Sequence, residues 1–126
     1  MVIGQFVNVL DNLYYAEPHT RKTIVVFVPP VDRHAEYMLN PKFARWTAKT
    51  LCQQVERSLK VSSSKELRTI CGASLGGLIA AYTGFLYPGT FGNVAAQSAS
   101  FWFEEKSIIK KFAMKKKLAL RFFIQT

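Results

Sequence analysis

Apolar residues fall into two kinds of run along the chain. Continuous runs at residues 5–10 and 22–28 predict two buried strands, the second rich in β-branched side chains and followed by Pro29 and Pro30. Similar runs predict three further strands, at residues 67–71, 91–97 and 118–124. Strands that are apolar throughout are typical of a parallel sheet that is covered on both faces.

The other runs place apolar residues at helical spacing. Asn40 and Pro41 supply a capping side chain and a proline for the first helical position, and apolar residues recur at helical spacing from Phe43 to Leu59. Residues 75–86 and 104–117 predict two more helices. Strands that alternate with helices predict an α/β fold. We expect a three-layer α/β/α sandwich with a mostly parallel sheet, in which residues 1–126 form a single domain.

Composition narrows the class of protein. With 49% hydrophobic, 13% aromatic and 20% charged residues, the chain of 126 residues is globular and not intrinsically disordered. Cys52 and Cys71 are too few for a disulfide framework and too far apart for a zinc site, so we predict two buried free thiols. A run of about 18 uncharged apolar residues is absent, and the first ten residues do not resemble a signal peptide. These features predict a cytoplasmic location.

The formal net charge of +9 is concentrated near the C-terminus. Residues 101–126 carry seven basic side chains against Glu104 and Glu105; the basic ones are Lys106, Lys110, Lys111, Lys115, Lys116, Lys117 and Arg121. A basic cluster can bind nucleic acid, an anionic membrane or an anionic ligand. A solvated lysine face on a surface helix explains it more simply, and we expect neither nucleic acid nor a membrane as a partner.

One loop carries a pattern with chemical meaning. In open parallel sheets, functional residues gather beyond the carboxyl ends of the strands. At one such end, residues 72–76 read Gly-Ala-Ser-Leu-Gly between a predicted strand and a predicted helix. This G-x-S-x-G pattern predicts a nucleophile elbow, a strained turn from which the hydroxyl of Ser74 projects above the sheet. The backbone N–H of Leu75, at the start of the helix, is then a candidate donor to an oxyanion.

A second oxyanion donor is expected from the loop after the first predicted strand. That loop reads Asp11-Asn12-Leu13, and Asn12 is the candidate. A simple turn at the end of a strand explains these residues equally well.

Four stretches, in a fixed order between Val9 and Phe103, resemble those of a known family. They are Val9-Leu10-Asp11, Asp32-Arg33-His34-Ala35-Glu36-Tyr37, the elbow from Gly72 to Leu78, and a last stretch from Tyr87-Pro88 through Phe91-Gly92 to Gln97-Ser98-Ala99-Ser100-Phe101-Trp102. The chain resembles the Putative esterase family of α/β-hydrolases, which includes the enterochelin (ferric enterobactin) esterases. It is therefore expected to have a partial α/β-hydrolase fold.

The resemblance implies carboxylic ester hydrolysis with Ser74 as the nucleophile. For some members it implies hydrolysis of the ester backbone of an iron-loaded siderophore, so the expected partner is a small-molecule ester such as a ferric siderophore. It also implies that Arg33 lies near the substrate, although an ion pair with Glu36 is an equally good explanation of that arginine. Asn12 stands where the family has glycine, and asparagine tolerates a positive φ. No metal or organic cofactor is implied, because the iron of a siderophore belongs to the substrate.

The end of the sequence departs from the family's pattern. The hydrolase triad runs serine, acid, histidine along the chain. After Ser74 come Glu104 and Glu105 but no histidine, and both His19 and His34 precede the serine. We therefore expect a chain that is truncated at both ends and nearly inactive, because a serine without its base is a poor nucleophile. His34 and a histidine from a second chain are the substitutes for the base that we consider.

Two alternatives to an esterase stay open. The first is a catalytically inactive domain retained for binding, with the basic C-terminal helix in contact with an anionic partner. The second is a remnant that does not fold stably. Separately, the apolar run at residues 118–124 predicts an exposed strand edge, which favours self-association.

Overall fold

The structure, a computed structural model, describes residues 3–115 and 117–126 and contains a parallel sheet. Its strands are β1 (Thr69–Ala73), β2 (Asn93–Gln97) and β3 (Arg121–Gln125), which lie side by side in that order. Thr69 lies opposite Asn93, and Asn93 lies opposite Arg121. These strands correspond to the predictions at residues 67–71, 91–97 and 118–124, each starting slightly later than expected. A mixed fold of helices and a parallel sheet is therefore confirmed.

The rest of the regular secondary structure in the described residues is helical. The helices are α1 (Ile3–Ala16), α2 (Arg33–Tyr37), α3 (Pro41–Arg45), α4 (Cys52–Ser58), α5 (Leu75–Leu86) and α6 (Phe103–Ala113). A π-helical turn at Trp46–Leu51 joins α3 to α4, and a 3-10 turn at Lys65–Leu67 precedes β1. None of the helices in the described part of the chain has the length and apolar character needed to cross a membrane.

Helix α5 has the bounds predicted from the sequence and forms the centre of the core. Its residues from Gly77 to Gly84 are buried, and it packs across β1 and β2. Leu78 of α5, Val94 of β2 and Ile108 of α6 are fully buried and belong to one hydrophobic cluster. Because a fully buried aliphatic side chain contributes about 1.5–3 kcal/mol, these three residues are a main source of stability.

The start of α3 is also as predicted. The side chain of Asn40 accepts hydrogen bonds from the backbone N–H groups of Lys42, at 2.9 Å, and Phe43, at 3.1 Å. Pro41 occupies the first helical turn, where it has no N–H to leave unpaired. The cap and the proline therefore act together to begin the helix at this residue.

The two strands predicted in the N-terminal part are wrong. Residues 5–10 lie within α1, and residues 22–28 form no regular element. Phe6 and Phe27 meet edge to face at 6.0 Å between ring centroids, so the two segments contact each other without forming a sheet. A strand needs a second segment to pair its backbone, whereas a helix pairs its own N–H and C=O groups.

The two cysteines are free thiols, as predicted. The prediction that both are buried is wrong. Cys52 is half-buried in α4, where burial raises the pKa of its thiol, and Cys71 is exposed on β1. Side chains alternate along a strand. Ile70 of β1 packs into the core beneath α5, so Cys71 points to the other face of the sheet, where Thr69 and Phe123 are also exposed.

Helix α6 is shorter than predicted and begins with a left-handed turn. It ends at Ala113 rather than at residue 117, and Lys116 lies outside the described residues. Glu104, Glu105 and Lys106 have φ values of 46°, 52° and 64°. Ile108 of α6 is buried, whereas its neighbour Ile109 is 47% exposed.

β3 is an edge strand of the sheet, and each of its residues is exposed. Self-association through this edge stays a prediction.

Candidate functional site

The G-x-S-x-G segment forms a sharp turn between β1 and α5. β1 ends at Ala73, α5 begins at Leu75, and Ser74 between them has φ 56° and ψ −122°. A positive φ at a residue other than glycine costs about 1–3 kcal/mol and persists only where the surroundings enforce it. The side chain of Ser74 is exposed at this turn. The geometry is that of a nucleophile elbow.

The glycines of the segment allow a close approach of backbones. A Cβ atom at Gly72 would overlap the carbonyl group of Gly76. A Cβ atom at Gly77 would lie 2.8 Å from the Cβ of Ala99, in the loop after β2. Side chains at these two positions would therefore push apart the elements on either side of the turn.

Hydrogen bonds hold Ser74 from three sides. Its N–H donates to the carbonyl of Gln97 at 2.9 Å. Its carbonyl accepts from the N–H groups of Leu78 and Ser100, each at 3.1 Å. The turn is therefore tied to β2, to the first turn of α5 and to the loop that follows β2, and these bonds offset its strained backbone.

Leu75, whose N–H is predicted to donate to an oxyanion, directly follows Ser74. It is the first residue of α5, and the backbone hydrogen bonds of the described residues include none from its N–H. The first N–H groups of a helix have no partner within the helix and carry its positive dipole end. The N–H of Leu75 is therefore available to a ligand at the elbow.

Arg33 lies on α2, which contacts α5. The ring of Tyr37, at the end of α2, comes within 3.9 Å of the position that a Cβ atom would take at Gly76. Burial raises the pKa of Tyr37; the charge of Glu36 adds to the rise, and the Arg33 guanidinium opposes it. The structure thus brings Arg33 to the helix that borders the elbow, with its side chain exposed.

The alternative explanation of Arg33, an ion pair with Glu36, is not found within the described residues, where the ion pair is Arg68 with Glu56. The Glu36 carboxylate instead accepts from the N–H of Val31 at 3.2 Å. Glu36 therefore accepts from backbone N–H groups just before α2, and no ion pair of Arg33 is found in the described part of the chain.

Asn12 is not brought to the elbow in the same way. It lies in α1, so the expected loop at residues 11–13 is helical, contrary to the prediction. In a helix its N–H donates to the carbonyl four residues earlier. The hydrogen bonds of Ser74 in the described residues do not include Asn12. Its role as an oxyanion donor stays a prediction.

The sequence reasoning missed Ser100. This serine is buried, at 4% exposure, and its Oγ lies 3.4 Å from the Oγ of Ser74. The sequence did place Ser100 in the last of the stretches that resemble the family, but nothing in that stretch gave this serine a role. Its importance depends on the approach of two loops that are distant along the chain.

Acidic and basic groups do not complete a triad among the described residues. The side-chain hydrogen bonds there pair Ser74 Oγ with Ser100 and with no histidine or carboxylate. Glu104 and Glu105 are exposed on the left-handed turn of α6, and His34 is exposed on α2. The described residues contain no group of three His, Cys, Asp or Glu side chains that could hold a metal ion.

The chain is similar to known proteins over most of its length. A family model described as Putative esterase matches residues 11–121. The iron(III) enterobactin esterase of Dickeya dadantii is 30% identical over 100 residues, which are 77% of this chain and 23% of that protein.

Solved structures agree in fold. The enterochelin esterase of Shigella flexneri matches 90% of this chain with 26% identity and a TM-score of 0.79. The enterobactin esterase of the same organism, solved in the presence of enterobactin, matches 90% with 25% identity and a TM-score of 0.78. This chain covers 32% and 31% of those two chains, so it spans at most about a third of these relatives. They are esterases with an α/β-hydrolase fold, and this chain belongs to the Putative esterase family.

Proposed function

We propose that this chain is the nucleophile-bearing part of a carboxylic ester hydrolase of the enterochelin-esterase type. The observation that carries the proposal is the backbone of Ser74, which holds a positive φ between β1 and α5 and leaves its hydroxyl exposed. In this proposal residues 1–126 form one partial α/β-hydrolase domain. The proposal includes a cytoplasmic location, because free thiols such as those of Cys52 and Cys71 are typical of that compartment.

The proposed roles follow the positions of the groups. Ser74 Oγ attacks the ester carbonyl, and the N–H of Leu75 stabilises the oxyanion that forms. Asn12 is proposed as the second donor, which requires residues 11–13 to leave the helical conformation. The exposed guanidinium of Arg33 orients an anionic or polar part of the substrate. Among the described residues, no side chain that could serve as the acid or the base of a triad contacts Ser74. We therefore expect slow ester hydrolysis from this chain alone.

The proposed substrate is a small-molecule ester of the siderophore class. The relatives are named enterochelin and enterobactin esterases, and one of them was solved in the presence of enterobactin. The iron of such a substrate arrives with the siderophore and is not a cofactor of the protein.

The test is to react the chain with a fluorophosphonate and to read its intact mass. Imidazole is added in a parallel series as a substitute base, because an external base can replace an absent histidine. We expect a slow stoichiometric adduct that imidazole accelerates and that Ser74→Ala abolishes. Ser98→Ala, an exposed serine on the loop after β2, is the matched control and should react like the unmodified chain. An adduct that survives in Ser74→Ala, or no adduct with imidazole on a folded chain, rejects Ser74 as the nucleophile.

One observation favours a second candidate function, an inactive domain that binds an anionic partner. Lys110, Lys111 and Lys115 of the α6 region are exposed, and the ion pair found within residues 3–115 and 117–126 joins Arg68 and Glu56 instead. The positive charge of this region is therefore not neutralised by neighbouring carboxylates.

Charge reversal distinguishes this candidate. Lys115, Lys116 and Lys117 are changed to Glu, and the matched control changes Lys22, Lys42 and Lys60 to Glu so that the net charge is the same. Binding is measured to phosphatidylserine vesicles, a short DNA duplex and a ferric siderophore. Loss of binding in the first variant and not in the control supports a binding domain, whereas no binding by the unmodified chain ends this candidate.

A further inference from the structure

Ser100 contacts Ser74 through both its backbone and its side chain. Its N–H donates to the Ser74 carbonyl at 3.1 Å, and the two Oγ atoms lie 3.4 Å apart. Ser74 is exposed, whereas Ser100 is buried. The hydroxyl of Ser100 thus lies behind the exposed hydroxyl of the elbow, on the protein side.

The loop that carries Ser100 is held firmly against the elbow. Ala99 contacts α5 so closely that Gly77 has no room for a side chain. The N–H of Ser98 donates to the Gln125 carbonyl of β3 at 2.6 Å, and the N–H of Phe103 donates to the Ser100 carbonyl at 3.1 Å. These contacts fix Ser100 relative to Ser74 from both sides of the loop.

A buried hydroxyl requires a partner, and in the described side-chain contacts Ser100 Oγ has Ser74 Oγ. Their separation exceeds the roughly 2.7–2.8 Å of an ordinary O–H···O bond, so the contact is weak at rest. The long contact leaves the Ser74 hydroxyl free to give its proton to a base, while the fixed position of Ser100 limits where Ser74 Oγ can lie.

We propose that Ser100 is a positioning residue, whose buried hydroxyl holds Ser74 Oγ in one rotamer and donates a hydrogen bond to that oxygen when it loses its proton. The proposal deepens the function proposed above and rests on Ser74 being the nucleophile. No bond is made or broken at Ser100, which acts on the reaction only through Ser74.

The first test is the rate of Ser74 phosphonylation by a fluorophosphonate, measured against pH in the presence of imidazole. Since poor orientation of a reacting group costs one to two orders of magnitude, Ser100→Ala should react about tenfold more slowly at every pH. Ser100→Thr, which keeps the hydroxyl, should restore most of the rate, and Ser98→Ala should leave it unchanged. A wild-type rate in Ser100→Ala, or a Ser100→Thr variant as slow as Ser100→Ala, overturns the proposal.

The second test does not depend on reactivity. The χ1 rotamer of Ser74 is read from its Hα–Hβ couplings in serine-labelled protein, and the amide spectrum verifies that each variant is folded. We expect one rotamer in the unmodified chain and in Ser100→Thr, and an average over rotamers in Ser100→Ala. If the unmodified chain already averages, Ser100 does not position Ser74. If the rotamer is fixed as expected but no adduct forms, positioning stands and the nucleophile role of Ser74 is the part that fails.

Discussion

Residues 69–97 and residues 5–28 contain similar apolar runs, yet only the first region forms strands. In the first region Ile70 of β1 lies opposite Val94 of β2, and Val94 in turn lies opposite Phe122 of β3. In the second region the run at 5–10 is helical and the run at 22–28 is irregular, with Ile24 51% exposed and Val26 44% exposed.

The difference shows what a strand requires beyond its own sequence. A β-branched, apolar run favours extended backbone, but its N–H and C=O groups need a neighbouring strand as partner. β1 pairs with β2, and β2 pairs with both β1 and β3. Where the described residues provide none, the run at 5–10 satisfies its backbone internally as a helix. The run at 22–28 instead meets side chains, with the Thr23 N–H donating to Tyr14 and the Val28 carbonyl accepting from Tyr37.

Amide hydrogen exchange should show the largest effect. Among the described residues, the N–H groups of 24–28 have no hydrogen-bond acceptor, whereas residues 94–96 lie in the strand between two others. Because protection follows the free energy of opening, we expect β2 amides to exchange about a thousandfold or more slowly than amides 24–28. Exchange is followed by NMR at a single pH. Slow exchange at residues 24–28 would contradict the comparison, since it would indicate the strand that the sequence predicts there.

Much of the central region could be predicted from the sequence because its signals are local. The G-x-S-x-G pattern between a strand and an Ala- and Leu-rich run predicts the elbow and the start of α5, and Tyr87-Pro88-Gly89 predicts its end. Asn40 with Pro41 predicts the start of α3. Each of these signals acts on the backbone within a few residues of itself.

Other features could not be predicted because they depend on tertiary contacts. Helical spacing does not distinguish the π-turn at Trp46–Leu51 from an α-helix, and three consecutive left-handed residues at the start of α6 contradict the usual preference of their side chains. The contact of Ser100 with Ser74 joins residues 26 positions apart, so it exists only once β1 and β2 have paired.

A matched pair of leucine substitutions should sharpen the comparison. Leu78 is fully buried in α5, and Leu13 in α1 is 42% exposed. Leu78→Ala leaves a cavity in the core and should lower the free energy of unfolding by about 3 kcal/mol. Leu13→Ala loses little buried surface and should cost less than about 1 kcal/mol. Both values are measured by urea unfolding. Equal costs would mean that α1 packs as tightly as the core does.

A matched pair of tyrosine substitutions should show a smaller difference. Tyr37 donates its phenolic hydrogen to the Val28 carbonyl at 2.9 Å and is half-buried beside the elbow. Tyr14 accepts from the N–H of Thr23 at the same distance but at an exposed site. Since a half-buried hydrogen bond contributes about 1 kcal/mol and an exposed one less, Tyr37→Phe should cost about 1 kcal/mol and Tyr14→Phe less than about 0.5 kcal/mol.

The same pair has a pH dependence whose sign is fixed. Burial raises the pKa of Tyr37 above its ordinary value of 10.0, so the folded chain keeps a proton that the unfolded chain loses. Stability from this group is complete below pH 10.0 and declines as the pH rises towards the folded pKa. Tyr37→Phe should make the decline shallower without abolishing it, because burial also raises the pKa of Tyr82. Urea unfolding at pH 8 and above 10 measures the slope, and an unchanged slope in Tyr37→Phe would mean that α2 does not hold Tyr37 against the elbow in solution.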